Sequence, residues 1–346
     1  MYLKHKNPHG GDIYSHDILL DLSSNMNPEG MPKEVAEAVR SSAESFGVYP
    51  DPYCRRLREA ISAAEKVPYD SIICGNGAAE LIYSYAYGLP KGCPALIVSP
   101  TFSEYEAALS AAGIGTVSYL LRKEEGFSLT DGILDLDMSD YCAVFICTPN
   151  NPTGLTADPE LLERIALTGV KVFCDMCFLD MTDRPDRYDI PDLIGRYPNV
   201  MILRAFTKSY SMAGIRLGYA ISSDGGLLET MSEKTQCWNV SSVAQTAGEA
   251  ALECTGWLRE SVRKISAERA RMTEALVSAG IEVWPSEANY LLLRTDADLY
   301  GEMLKRRILI RDCSNYEGLG KGYYRIAIRT EKENELFLNA LREVYR

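Results

Sequence analysis

The 346 residues are 46% hydrophobic and 24% charged, the balance of an ordinary folded globular chain, long enough for one large domain with an appendage or for two domains. Lys and Arg number 36 against 48 Asp and Glu, a net charge of -12 that disfavours non-specific binding to nucleic acid or anionic membranes, so an anionic substrate needs a local basic pocket. No apolar run reaches the roughly 18 residues of a membrane span and no basic segment leads into an apolar leader, so a cytoplasmic location is expected.

Ten cysteines are scattered, several within apolar runs such as Cys142-Ala143-Val144-Phe145-Ile146-Cys147, as expected of reduced, buried thiols. Cys174 and Cys177 have C-x-x-C spacing but no second pair or nearby histidine, which is weak support for redox or zinc chemistry. His5, His9 and His16 are the three histidines, so the body of the chain can hold neither a serine triad nor an H-E-x-x-H site, and no metal is expected.

Residues 1–30 are polar and turn-rich and read as an arm that packs on something else. Pro32 opens a helix in which Val35, Ala36 and Val39 share a face, and Tyr49-Pro50-Asp51-Pro52-Tyr53 breaks the pattern before a second amphipathic helix over 55–66. From residue 71 short apolar strands alternate with helices. The strands are expected at 71–74, 95–99, 116–120, 143–147, 170–174, 200–203 and 217–221, with helices near 78–88, 103–112 and 159–167. That alternation predicts an α/β fold, a mostly parallel seven-stranded sheet covered on both faces.

Beyond residue 225 come longer helices, near 227–234, 242–252 and 257–279. An α+β tail follows, with strands near 281–283, 290–293, 308–310 and 323–328 and helices near 299–306 and from 331. The expected division is an arm over 1–30 that packs with the small domain, a large domain over 31–255 and a small domain over 256–346.

Ligands of such sheets collect beyond the carboxyl ends of the strands. There the chain carries Cys74-Gly75-Asn76-Gly77-Ala78, suited to a phosphate at a helix N-terminus or simply to a tight turn. Phe102 follows another strand and could lie on a flat ring or in the core. Thr148-Pro149-Asn150-Asn151-Pro152-Thr153-Gly154 is a turn crowded with polar side chains, Asp175 is a carboxylate in need of a partner, and Thr207, Lys208 and Arg216 close the series. A lysine amine is a nucleophile only when deprotonated. A pyridine ring with a phosphate and an aldehyde would use all of these groups. Pyridoxal phosphate needs a lysine for its Schiff base and an acid to keep its ring nitrogen protonated.

Asn151-Pro152-Thr153-Gly154, Asp175 and Thr207-Lys208 followed by Gly214-Ile215-Arg216-Leu217-Gly218 resemble, in order and spacing, the fold-type I pyridoxal-phosphate enzymes of the class I/II aminotransferase superfamily, across essentially the whole chain. The resemblance implies that Lys208 forms the Schiff base, Asp175 pairs with the ring nitrogen, Asn151 bonds the ring hydroxyl and Phe102 stacks on the ring. It further implies that Gly77, Ala78, Thr207 and Arg216 hold the phosphate, with Tyr49 reaching in from a partner subunit of a homodimer that shares its active sites. Where the family usually reads D-E-A-Y, this chain reads Asp175-Met176-Cys177-Phe178, and Phe178 has no hydroxyl to offer the ring.

The nearest subgroup contains histidinol-phosphate aminotransferases and L-threonine-O-3-phosphate decarboxylases. His9-Gly10-Gly11, Ile310-Arg311-Asp312-Cys313-Ser314 and Arg325-Ile326-Ala327-Ile328-Arg329-Thr330 resemble the decarboxylases. The likeness implies a phosphorylated amino acid or amine as substrate, held by His9, Gly10, Asn25, Arg311, Arg325 and Arg329, with Arg325 on its carboxylate. The expected reaction is decarboxylation of threonine phosphate in cobalamin biosynthesis. The alternatives are transamination of the histidinol-phosphate type and a non-catalytic binding protein on the same fold.

Overall fold

The computed structural model describes residues 9–345; His5 and the first eight residues of the arm lie outside them. Its strands are β1 (Leu20–Asp21), β2 (Ile72–Gly75), β3 (Ala95–Ser99), β4 (Thr116–Leu120), β5 (Ala143–Cys147), β6 (Lys171–Asp175), β7 (Val200–Ala205), β8 (Gly218–Ser222), β9 (Glu282–Val283), β10 (Tyr290–Arg294), β11 (Ile308–Leu309), β12 (Arg311–Asp312) and β13 (Tyr323–Ala327).

Seven of them form one sheet in the order β2-β8-β7-β6-β5-β3-β4, in which β8 runs antiparallel to both neighbours and the other pairings are parallel. Strands β3, β5 and β7 are buried along their whole length, as continuous apolar runs must be when helices cover both faces. Side chains alternate between those faces. Val144 and Ile146 join one core cluster with Val172 and Ile202, while Phe145 joins another with Phe173 and Met201. Each fully buried Leu, Ile or Phe contributes about 1.5–3 kcal/mol, so the central strands are fixed in register.

Antiparallel strands β12-β13-β10-β9 form a second sheet. Its core joins Leu291, Leu293 and Ile326 to Ile265 and Leu276 of the helix Thr255–Ser278, to Phe337 of the helix Glu331–Val344, and to Leu20 and Leu22 of the arm. The arm also pairs β1 with β11 in parallel, and Ala327 N donates to Leu22 O at 2.8 Å.

Three differences from the sequence expectation matter for the site. Strand β6 runs one residue further than expected, so Asp175 ends the strand and pairs in register with Cys147. The segment expected as one strand over 308–310 divides: β11 bonds the arm and β12 bonds β13, because two sheets compete for the same backbone. Strand β13 stops at Ala327, so Arg329 lies beyond the strand that carries Arg325.

Candidate active site

A cavity of ≈ 220 Å³ opens beyond the carboxyl ends of the large sheet, walled on its other sides by the second sheet and the arm. The register of the strands explains why chemistry collects there. Gly75, Gly218 and Ala205 lie side by side across β2, β8 and β7, and Cys147 pairs with Asp175 across β5 and β6. The residues that follow these positions therefore emerge on one edge.

Lys208 belongs to a single helical turn, Phe206–Ser209, that begins as soon as β7 ends. Its Nζ lies 3.9 Å from Met26 Sδ. Burial, then the positive charges of Arg325 and Arg216, lower the pKa of the amine to about 8. The arm is pinned to this turn: Asn27 Nδ2 donates to Ser209 O at 2.8 Å, Asn27 N donates to Lys208 O at 3.1 Å, and Ser211 Oγ donates to Asn27 O at 2.7 Å.

Asp175 is buried, with Tyr105 Oη donating to one oxygen at 2.6 Å and Cys177 N to the other at 3.0 Å. Among the described residues no ion pair involves it. Burial raises its pKa against those two hydrogen bonds. A buried carboxylate facing a cavity without a cationic partner suits a ligand that brings one, such as a protonated ring nitrogen.

The helix Gly77–Gly88 starts at the edge of the cavity, and its N-cap residue Asn76 makes no side-chain cap, which leaves first-turn N–H groups free for an anion. Gly77 has φ +77°, and a Cβ there would come within 2.6 Å of Arg216 Nη2. Arg216 itself has φ +62°, an uncommon conformation for a residue with a side chain. Gly218 is equally constrained, since a Cβ there would lie 2.7 Å from Ala78 N. Helix-start amides, a guanidinium and a backbone too close for any side chain meet here, a cup whose chemistry suits an anion, and Thr207 lines the cavity with Ala78 and Arg216. The Gly218→Ala variant is expected to bind cofactor at least about tenfold more weakly, the loss of roughly one charge-assisted hydrogen bond. Equilibrium titration of the cofactor-free protein checks this, and an unchanged affinity would show that the cup has room to spare.

Asn151, Phe102, Arg311 and Arg325 line the remaining walls with His9, Gly10 and Asn25. Arg311 and Arg325 are direct partners across β12 and β13. Arg325 is buried, donates to Asn151 Oδ1 and, at 2.6 Å, to Ser23 O, and keeps a buried Nε without a partner. Arg311 Nη2 donates to Asn315 Oδ1 at 2.8 Å. His9 Nε2 lies 2.7 Å from Glu104 Oε1, its ring 5.4 Å from that of Phe102. Asn25 Oδ1 is buried without a partner. These neighbours meet only through the fold, since the arm, the Asn151 turn and β13 are far apart in the chain.

Two candidates stand elsewhere. Arg329 lies outside the cavity lining, with Nη2 bonded to Glu333 Oε1 at 3.1 Å. Glu333 also forms the capping box of the last helix with Thr330, which holds Arg329 at the helix start. Tyr49 is 75% exposed and stacks on Trp238 at 4.4 Å, away from this chain's cavity. Sequence reading missed Tyr105 and Tyr316. Tyr105 sits one helical turn after Phe102, a signal that could have been used; Tyr316 lies in a loop with no pattern to mark it.

The family model of aminotransferase class I and II matches residues 17–341. The chain is 39% identical to the threonine-phosphate decarboxylase of Salmonella typhimurium, over 97% of this chain and 96% of that one. It is 32% identical to histidinol-phosphate aminotransferase 1 of Archaeoglobus fulgidus, over 94% and 99% respectively. Among solved structures, the histidinol-phosphate aminotransferase of Clostridium acetobutylicum matches with a TM-score of 0.89 at 32% identity, covering 94% of this chain and 99% of that one.

Proposed function

The chain belongs to the class I and II aminotransferase family, and from that premise we propose that it is a pyridoxal-phosphate enzyme that removes carbon dioxide from an O-phosphorylated amino acid, threonine phosphate being the substrate that fits best. Pyridoxal phosphate supplies a ring that accepts the electrons of a bond broken at the substrate Cα. Lys208 would carry the group, Asp175 would pair with its ring nitrogen, Phe102 would cover its face, Asn151 would donate to its hydroxyl, and Gly77, Ala78, Thr207 and Arg216 would hold its phosphate.

One observation carries the choice of substrate. Arg311 and Arg325 stand directly opposite each other on adjacent strands and both line the cavity. Like charges so placed repel, which destabilises the sheet unless an anion between them offsets the repulsion. A substrate with both a carboxylate and a phosphate supplies two such anions. Arg325, the more buried, takes the carboxylate bidentately; Arg311 and His9 take the phosphate, with Gly10 and Asn25 closing the strap over it. Arg329 is left to the last helix. Lys208, its amine poised near neutrality, holds the proton that Cα receives after carbon dioxide leaves.

Only the bond perpendicular to the cofactor ring is labile, so the pose of the carboxylate decides between decarboxylation and transamination. The likeness to histidinol-phosphate aminotransferases at 32% identity supports transamination of a phosphorylated amine as the second reading. The cofactor-loaded protein is expected to release carbon dioxide from L-threonine O-3-phosphate and to form no glutamate from 2-oxoglutarate with threonine phosphate or histidinol phosphate as amino donor. Glutamate formation from 2-oxoglutarate with histidinol phosphate as amino donor, and no carbon dioxide from threonine phosphate, would replace the first reading with the second.

A homodimer with shared sites completes the proposal. Val48, Tyr49, Tyr53 and Trp238 form an exposed apolar group on one side of the chain, the kind of surface that a second copy covers, and Tyr49 would there meet the partner's phosphate cup. No helix among the described residues is long and apolar enough to cross a membrane.

A further inference from the structure

Asn151 presents a problem of orientation. A carboxamide can face the cavity with either its oxygen or its nitrogen, and only the nitrogen donates. Arg325 has no acceptor, so the Asn151 atom against its guanidinium is the oxygen. Tyr316 Oη lies 3.3 Å from that same oxygen and must be a second donor to it. Two donors on Oδ1 leave Nδ2 towards the cavity, and a flip of the amide would set its N–H groups against the guanidinium and cost the donation from Tyr316. Burial raises the pKa of Tyr316, so its hydroxyl keeps the proton it donates. Phe178, on the same cavity wall, has no polar atom to share the task; its ring packs edge-on against Tyr290, whose hydroxyl donates instead to Asn150 O at 2.8 Å.

Tyr316 has a second contact. The Arg311 guanidinium sits over its ring, 5.0 Å from the centroid, a cation–π arrangement. One side chain thus touches both the amide on the cofactor side and the arginine on the substrate side: its hydroxyl meets Asn151, and its ring face, with a further contribution from the hydroxyl, meets Arg311.

We propose that Tyr316 is a positioning residue whose hydroxyl, together with Arg325, locks the Asn151 amide with Nδ2 towards the cofactor, while its ring supports Arg311 for the substrate anion. The proposal rests on the pyridoxal-phosphate reading. The two functions separate by substitution, since Tyr316→Phe removes only the hydroxyl and Tyr316→Leu removes the ring as well.

For Tyr316→Phe, cofactor affinity is expected to fall about three- to tenfold, the worth of one hydrogen bond. The pH midpoint of the bound cofactor's visible absorbance should move upward. With weaker donation from Asn151, the anionic ring oxygen of the cofactor becomes a better partner for the cationic nitrogen contributed by Lys208. KM for threonine phosphate should stay within about twofold of the parent, because the cation–π contact with Arg311 is retained. Tyr316→Leu should show both cofactor effects and, in addition, a KM raised about three- to tenfold.

An unchanged midpoint and affinity in Tyr316→Phe would overturn the amide lock, and an equal KM change in both variants would overturn the division of labour. Loss of folding in the cofactor-free Phe variant, read from its melting curve, would make Tyr316 a structural residue and overturn the proposal too. If the parent protein takes up no cofactor, the functional reading itself fails, an outcome distinct from any of these.

Discussion

Lys208→Ala is expected to abolish turnover, by at least about a thousandfold, and to leave no cofactor covalently bound to the chain. Borohydride reduction should add the mass of the cofactor to the parent protein and nothing to the variant; a variant that still gains that mass would place the attachment elsewhere. The environment of the amine makes a second expectation. With a pKa of about 8, about a quarter of the amine is neutral at a pH of about 7.5, against about a thousandth for a lysine at the usual value of about 10.4. Capture of the aldehyde by the cofactor-free protein should therefore accelerate as pH rises through about 8 and level off above it. The same shift acts on stability. A lysine whose folded pKa lies below its unfolded value destabilises the fold while it is charged, and that penalty lifts as pH rises from the folded value towards the unfolded one.

Asp175→Asn should separate cofactor binding from folding. In the cofactor-free chain the carboxylate is buried with two hydrogen bonds and no cation, and its pKa is raised. Such a group stabilises the fold at low pH, where it is protonated. The cost of its charge appears as pH climbs through the unfolded value near 3.9 towards the raised folded value, and is fully present above it. The neutral amide has no charge to bury, so the cofactor-free variant should melt at or above the parent at neutral pH. Its activity should fall by about two to three orders of magnitude, because nothing then holds a proton on the ring nitrogen. A variant that melts well below the parent would mean that Asp175 serves the fold first.

Much of this was legible in advance because apolar runs have lengths and periods. The five-residue strands β3, β4 and β5 begin and end where the pattern says, since each is bounded by residues that leave the strand conformation. Lys208, Asp175 and Asn151 could be picked out for a related reason: each lies at the carboxyl end of a strand or within a few residues of it, so position in the chain already fixes position at the sheet edge. Where this reasoning failed, side chains had two possible partners. Arg329 lies four residues after Arg325 and reads as its companion, yet the strand ends at Ala327 and the capping box of the last helix draws its guanidinium to Glu333. The 308–310 segment looked like one strand because nothing local shows that the arm claims half of it.

The sequence by itself therefore determined the α/β layering, the strand exits and the set of groups suited to one cofactor, all of which depend on residues near one another in the chain. Tertiary structure alone decided which groups face each other across the cavity. Arg325 reaches Ser23 and Asn151, Tyr105 reaches Asp175, Tyr316 spans Arg311 and Asn151, and the arm is pinned to the Lys208 turn. Hydrogen-bond geometry and charge proximity act through space over a few ångströms, and the contacts named, the Tyr316–Arg311 pair aside, join residues 70 to 302 positions apart and leave no period in the chain to read.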